Sequence, residues 1–200
     1  MNSAQQRIDD WINLPEGVIT LSLWDSLHDG HLLKIGSDLL ARTVTLNFDV
    51  PYVRKVHKLS EQTEFVLMVT GVESVRLLGS AKWPGQFCIP KRVSRNEESK
   101  LVADFHAKWR EESRSWGDFE AMMSSGVELL DATLARGTDT VALQLGVMSE
   151  CDSYLQAFIR GRGIDFLVGD RQVTPEEFIA LGEAYWAAFA NRNVSPPSSS

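Results

Sequence analysis

TVTLNF, residues 43–48, returns in similar form as TVALQL at residues 140–145. Each segment is followed, after a loop, by an apolar run that reaches a glycine, at residues 65–71 in the first half and 154–161 in the second. A further short apolar segment comes after each run. Self-similarity within one chain indicates that its two parts fold alike, so we expect two similar β-meanders.

Apolar and polar residues alternate in both segments, which is the period-two pattern of a strand. The pattern predicts an antiparallel sheet with one buried face and one face in water. A register slip of one residue would expose the whole apolar set, so the alternation also fixes the register. The expected inward positions are Val44, Leu46 and Phe48 in the first segment and Val141, Leu143 and Leu145 in the second.

Two helices are predicted outside the meanders. Residues 94–123 carry apolar side chains at helical spacing with charged side chains between them, which indicates a long amphipathic helix capped by Ser94 or Asn96. Near the C-terminus, Thr174 is followed by proline at the first helical position and by Glu177 at the third. This combination is typical of a capped helix start and predicts a helix over residues 174–191.

The predicted order of elements is that of an α+β fold. The meanders, at residues 18–80 and 127–170, would form one antiparallel sheet or a pseudo-symmetric pair, with the long central helix and the C-terminal helix packed on one face. We expect a single domain over residues 1–193, and two separate small lobes are the alternative. The Ser/Pro-rich residues 194–200 are predicted to be a disordered tail.

Composition narrows the class of protein. The 200 residues are 44% hydrophobic and 24% charged, which suits one globular domain with a real core. A net charge of -7 argues against nucleic-acid binding, which relies on concentrated Lys and Arg. No apolar run approaches the roughly 20 residues that span a bilayer. Cys88 and Cys151 lack zinc-type spacing, and residues 1–16 lack a signal-peptide core, so we predict reduced thiols in a cytoplasmic protein.

The densest group of polar functional side chains is WDSLHDGH at residues 24–31. Asp25, His28, Asp29 and His31 offer imidazole and carboxylate ligands of the kinds that bind zinc or a hard metal, and a His-Asp pair also occurs in metal-dependent phosphohydrolases. Both sites would need a tightly folded loop or further distant ligands.

A structural role is the alternative for the same segment. In that interpretation Asp25 caps a single helical turn, the Asp-Gly pair at 29–30 makes a tight turn, and His28 hydrogen-bonds the backbone. Elsewhere, Gly161-Arg162-Gly163 lacks the full glycine pattern of a phosphate loop and is predicted to be a hairpin turn. No nucleophile has a partner base in sequence, so we assign no catalytic, cofactor-binding or metal-binding residue.

The same segment carries a resemblance to a known group of proteins. Trp24-Asp25-Ser26-Leu27-His28-Asp29 precedes the strand-like stretches at residues 45–48 and 69–72, and this arrangement resembles small bacterial α+β families of predicted immunity proteins. Their members carry a tryptophan, a serine and an aromatic-or-leucine-His-Asp segment ahead of a β-meander. The resemblance covers about residues 20–80, and Leu27 stands where phenylalanine is expected.

The resemblance implies a cytoplasmic protein that neutralises a cognate toxin by binding it. An acidic surface would suit a basic nuclease as the toxin. We therefore expect a non-enzymatic protein-binding module without a cofactor; the alternatives are a small-ligand- or metal-dependent enzyme using the same loop, and a homodimer formed through an open sheet edge. The candidate partner-binding residues are Trp24, Asp25, His28, Asp29 and His31.

Overall fold

The computed structural model describes residues 19–80, 94–97, 100, 112–113, 115–123, 127–149 and 154–193. Within these residues eleven strands form one antiparallel sheet, accompanied by helices, so the predicted α+β class is confirmed. The strands are β1 (Ile19–Ser22), β2 (His31–Asp38), β3 (Thr43–Asp49), β4 (Phe65–Thr70), β5 (Ser74–Ser80), β6 (Glu112–Ser113), β7 (Val127–Arg136), β8 (Val141–Ser149), β9 (Tyr154–Gly161), β10 (Gly163–Val168) and β11 (Arg171–Val173). The helices are α1 (Trp24–Leu27), α2 (Pro51–His57), α3 (Trp116–Met123) and α4 (Pro175–Asn193).

The strand order differs from two self-contained meanders. Along the sheet the order is β11-β10-β4-β3-β2-β7-β8-β9-β5-β6, so the consecutive antiparallel strands β2-β3-β4 and β7-β8-β9 lie side by side. The strand that follows each set crosses to the other set: β5 pairs with β9, and β10 pairs with β4. The expected meander boundaries at residues 80 and 170 are therefore wrong, because the final strand of each half completes the other half.

The two crossing connections pack directly on each other. The amide of Arg162 donates to the carbonyl of Thr70 at 2.9 Å, and the amide of Glu73 donates to the carbonyl of Arg160 at 2.9 Å. A side chain on Gly161 would bring its Cβ to 2.7 Å from the Thr70 carbonyl oxygen, so only glycine allows this approach. The predicted hairpin turn at residues 161–163 is wrong, because β9 and β10 have different neighbours in the sheet.

The first two strands follow one edge of β7. Residues 19–22 of β1 pair with residues 133–136, and His31 at the start of β2 pairs with Glu128. Between them, the amide of Leu23 donates to the Ala132 carbonyl and Gly30 accepts from the Leu129 amide. Residues 23–30, which contain α1, thus leave the sheet between two segments that both pair with β7. We call these residues the excursion.

The predicted inward positions are confirmed in both β3 and β8, but the opposite face of β8, expected to be in water, is buried as well. Val44, Leu46 and Phe48 are at most 3% exposed, and residues of β3 alternate as expected. In β8 the expected outward residue Gln144 is also buried. The reason is a second apolar set on the opposite face of this part of the sheet, where Phe158 is the register partner of Gln144. Its other members are Leu78, Ala135 and Ala142.

The C-terminal helix is confirmed with its predicted cap. The Thr174 hydroxyl accepts from the Glu177 amide at 3.1 Å, and the Glu177 carboxylate accepts from the Thr174 amide at 2.8 Å. Phe178, fully buried, packs against Phe65 and Phe166 with ring centroids 6.2 and 5.0 Å away. Helix α4 then crosses α1 and α2.

The continuous helix predicted over residues 94–123 is wrong at its C-terminal end. Residues 112–113 form β6, which pairs with β5, and α3 begins afresh behind a reciprocal cap between Ser115 and Asp118. Charged and apolar residues at helical spacing did not reveal this break. Ser94 does cap residues 95–97, as predicted, through Glu97.

Several expectations concern residues outside the described ranges. They are the middle of the predicted long helix at residues 101–111, the tail at residues 194–200, and both cysteines, Cys88 and Cys151. Helix α2 was not predicted, although Pro51 occupies a favourable first-turn position in it.

Candidate functional site

The excursion at residues 23–30 is held in one shape by its own backbone. The His28 amide donates to the Trp24 carbonyl at 2.7 Å, and the Gly30 amide donates to the Leu27 carbonyl at 2.9 Å. Asp29 has φ 56°, in the left-handed region that Asp adopts more readily than most residues. A Cβ on the buried Gly30 would lie 2.7 Å from the Leu27 carbonyl oxygen. The expected tight turn at residues 29–30 is therefore present.

Two details of the structural interpretation are wrong. Asp25 does not cap α1, because the residue before the helix is Leu23 and no side chain provides a cap there. His28 does not hydrogen-bond the backbone: its Nδ1 is buried without a partner among the described residues, and its Nε2 lies 3.4 Å from Asp29 Oδ1.

Helix α4 anchors the excursion from outside. The buried Ser26 hydroxyl donates to the carbonyls of residues 178 and 179, at 3.0 and 3.2 Å. About two helical turns further on, the indole Nε1 of Trp186 donates to the Asp25 carbonyl at 3.0 Å. Between these contacts lies Gly182, where a side chain would overlap the Asp25 carbonyl group. The absence of a side chain thus lets the α1 and α4 backbones touch.

Aromatic rings join α1 to the exposed end of α4. The His28 imidazole lies between two indoles, with ring centroids 4.2 Å from Trp24 and 5.6 Å from Trp186. Trp186 in turn contacts Tyr185 at 5.0 Å and Phe189 at 6.0 Å. The last of these rings is 46% exposed, and both indoles are partly exposed. Aromatic surface therefore continues from the core out to solvent.

A buried tyrosine lies beneath this surface. Tyr52, in α2, packs on Tyr185 with ring centroids 4.3 Å apart, and its hydroxyl is buried without a hydrogen-bond partner in the described part of the chain. Burial raises the pKa of Tyr52 well above its ordinary range, and the nearby negative charges of Asp29 and Asp25 raise it further. Both carboxylates thus lie close enough to act on the same hydroxyl.

The predicted site residues divide into a group and an outlier. Trp24, Asp25, His28 and Asp29 lie together at the excursion, whereas His31 is the first residue of β2, paired with Asp49 and Glu128. No described hydrogen bond or ion pair joins His31 to the others. The four residues of the excursion, together with two aromatic residues of α4, form a surface that we name the aromatic–acidic patch. It consists of Trp24, Asp25, His28, Asp29, Trp186 and Phe189.

Sequence reasoning missed part of this neighbourhood. Trp186 and Phe189 lie in α4, and the connection of that helix to the His-Asp segment spans more than 150 residues of chain and has no local signal. Tyr52 was not singled out at all, because α2 was not predicted. Among the described residues, no group of three or more His, Cys, Asp or Glu side chains is arranged to hold a metal ion.

A concave region lies elsewhere on the sheet, away from the aromatic–acidic patch. It has a volume of about 690 Å³ and lies between the β2–β3 turn, the start of β5 and Trp116. Leu39 and Leu40 in that turn are 88% and 98% exposed. None of the residues lining it belongs to the excursion or to α4.

Comparison of the chain with models of protein families, with curated proteins and with solved structures found no match. In the part of the chain that the structure describes, none of the helices has both the length and the apolar composition needed to cross a membrane.

Proposed function

We propose that this chain is a non-enzymatic, immunity-like protein-binding module that acts in the cytoplasm by binding and neutralising a toxin, with the aromatic–acidic patch as its binding surface. One observation carries the proposal. A strand is interrupted by residues 23–30, whose buried residues Ser26, Leu27 and Gly30 lock the excursion to the core while Trp24, Asp25 and Asp29 remain accessible.

The composition of the patch supports protein binding. Tryptophan and other aromatic residues supply large contact areas with few rotatable bonds, and they dominate the energetics of measured interfaces. Here the indoles are already positioned by the Trp186–Asp25 hydrogen bond and by stacking on His28. A partner would therefore order few side chains on binding, which favours affinity.

Affinity capture with matched variants tests the proposal. The tagged full-length chain, a Trp24→Ala, His28→Ala variant and a Leu39→Ala, Leu40→Ala control are each used to capture proteins from the lysate of the source organism. We expect one stoichiometric protein partner with the wild type and the control, and its loss with the patch variant. Circular dichroism of each variant checks that it is folded.

Two outcomes contradict the proposal. The first is capture of the same partner by all three chains, or of no partner by any of them. The second is a metal-independent hydrolytic activity that survives full purification and is lost in His28→Ala, since this result would assign the segment to catalysis.

Self-association is the other partner hypothesis. At the two ends of the described strand order lie β11 and β6, of three and two residues. Short edge strands disfavour edge-to-edge pairing, so we propose that a protein partner, rather than a second copy, is the physiological one. Light scattering at high concentration should give the mass of a monomer, and a dimer would contradict this choice.

We also propose that the two halves are a pseudo-symmetric pair. The support is the strand order, which is symmetric about the β2–β7 junction: each half contributes three consecutive antiparallel strands and then one strand to its neighbour. Residues 1–93 and 94–200, coexpressed as separate chains, are expected to assemble into a stable complex. Two chains that fold apart and do not associate would contradict the proposal.

A further inference from the structure

We propose that the aromatic–acidic patch binds an arginine side chain presented by the protein partner. The inference rests on the proposed function and adds the chemistry of recognition. Guanidinium groups stack on aromatic faces and form paired hydrogen bonds with carboxylates, and the patch offers both kinds of group within one excursion and one helix.

The two carboxylates of the patch are available to a cation. Asp25 and Asp29 are exposed, and the side chain of Asp29 is 58% exposed. In the described part of the chain neither carboxylate forms an ion pair with Lys or Arg, and the one ionic neighbour of Asp29 is His28 at 3.4 Å. Asp49 in β3, by contrast, is paired with Arg54. The patch therefore holds negative charge that lacks a strong cationic partner.

The aromatic rings of the patch are also accessible. Trp24 and Trp186 are partly exposed and Phe189 is 46% exposed, so all three rings offer accessible surface. The acidic residues belong to the same neighbourhood, since Trp186 bonds the main-chain carbonyl of Asp25 and Asp29 Oδ1 lies 3.4 Å from His28 Nε2. A planar cation can combine attraction to the ring faces with an ion pair to a carboxylate, and a neutral or anionic group cannot combine these two forces.

The backbone permits a clean test of the charge. Asp29 is held at φ 56°, and asparagine is at least as compatible as aspartate with this left-handed conformation. Asp25 has an exposed side chain, and its contact with α4 is made through the main-chain carbonyl. Asp25→Asn, Asp29→Asn therefore removes both charges and keeps the contacts that hold the excursion.

The experiment titrates the full-length protein with the blocked tripeptide acetyl-Gly-Arg-Gly-amide and follows the indole N–H resonances of Trp24 and Trp186 by NMR. The control ligand replaces arginine with citrulline, which has nearly the same shape and no charge. We expect saturable shifts with arginine, and a loss of affinity of about five- to tenfold with citrulline or in the double variant, the range given by one exposed cation–π contact and its ion pairs. No saturable shift with arginine, or equal responses to the two ligands, would overturn the inference.

Failure of the inference can be separated from failure of the proposed function. If the Asp25→Asn, Asp29→Asn variant captures the partner as well as the wild type does, while Trp24→Ala, His28→Ala loses it, the patch binds protein without arginine recognition. If Trp24→Ala, His28→Ala also retains the partner, the proposed function itself is wrong.

Discussion

Replacing Gly182 with alanine tests the contact on which the candidate site depends. Gly182 lies where α4 crosses α1, and a methyl group there would overlap the Asp25 carbonyl group and the Ser26 amide nitrogen. These atoms belong to the main chain, so no rotamer change can relieve the overlap. The helix must instead move away from the excursion.

The expected change in the free energy of unfolding for Gly182→Ala is the balance of opposing effects. In an unobstructed helix interior, Gly→Ala stabilises by about 1 kcal/mol. At this position overpacking costs about 1–3 kcal/mol. Separation of the helices also strains the hydrogen bonds from Ser26 and Trp186, each worth about 1 kcal/mol. We expect a net loss of about 2–3 kcal/mol in the free energy of unfolding, which lowers Tm by about 5–10 °C in a chain of this size.

Urea unfolding, followed by far-UV circular dichroism and tryptophan fluorescence, measures the change. Gly117→Ala is the matched control, because it also places alanine in a helix but its Cβ would meet only the Ser115 hydroxyl, at 3.7 Å. The control is expected to be as stable as the wild type or slightly more so. A Gly182→Ala protein as stable as the wild type would refute the argument that the two backbones are in contact.

Three further predictions concern single side chains. Burial raises the pKa of Asp131, although a hydrogen bond from the Ala132 amide opposes the shift. The folded state therefore holds the proton of Asp131 more tightly than the unfolded state does, and the free energy of unfolding falls as pH rises. Asp131→Asn should raise Tm more at pH 7 than at pH 3 in thermal scans. Tyr52→Phe removes a hydroxyl that has no partner among the described residues, so urea titrations at neutral pH should show unchanged stability or a gain of about 1 kcal/mol. Above pH ~10 the tyrosine ionises only in the unfolded chain, so the variant should lose less stability there than the wild type does. Ser26→Ala should cost about 1–2 kcal/mol by chemical denaturation, whereas Ser37→Ala, at an exposed position, should cost almost nothing, and equal losses would contradict the anchoring role.

Local patterns predicted the elements that depend on local forces. The alternation in β3 and the reciprocal cap of α4 are both confirmed, because a period-two burial pattern and a Thr-x-x-Glu cap involve neighbouring residues only. The glycines that the sequence places at the ends of the two apolar runs, at residues 71 and 161, do lie where the chain leaves β4 and β9. What they do not specify is the destination, so a crossing connection was taken for a hairpin at residues 161–163.

The candidate site was predictable in part for the same reason. Residues 24–31 stood out because their polar groups are concentrated, and their tight turn follows from Asp-Gly chemistry. The contribution of α4 could not be derived, because Ser26 and Gly182 meet only after the sheet has brought distant segments together. Period-two patterns likewise describe one strand at a time, and they gave no sign that both faces of β8 are buried.

The exchange of β5 and β10 has a consequence for synthesis on the ribosome. When the first half of the chain has emerged, β4 has β3 on one side and lacks its other neighbour until residues 163–168 follow. Strand β5 likewise waits for β9. The nascent N-terminal half therefore presents an unpaired, apolar strand edge until residues 163–168 have been synthesised, a state that invites aggregation. The sheet can be completed only when residues of both halves are available. Neither half can therefore finish folding before the other has been synthesised.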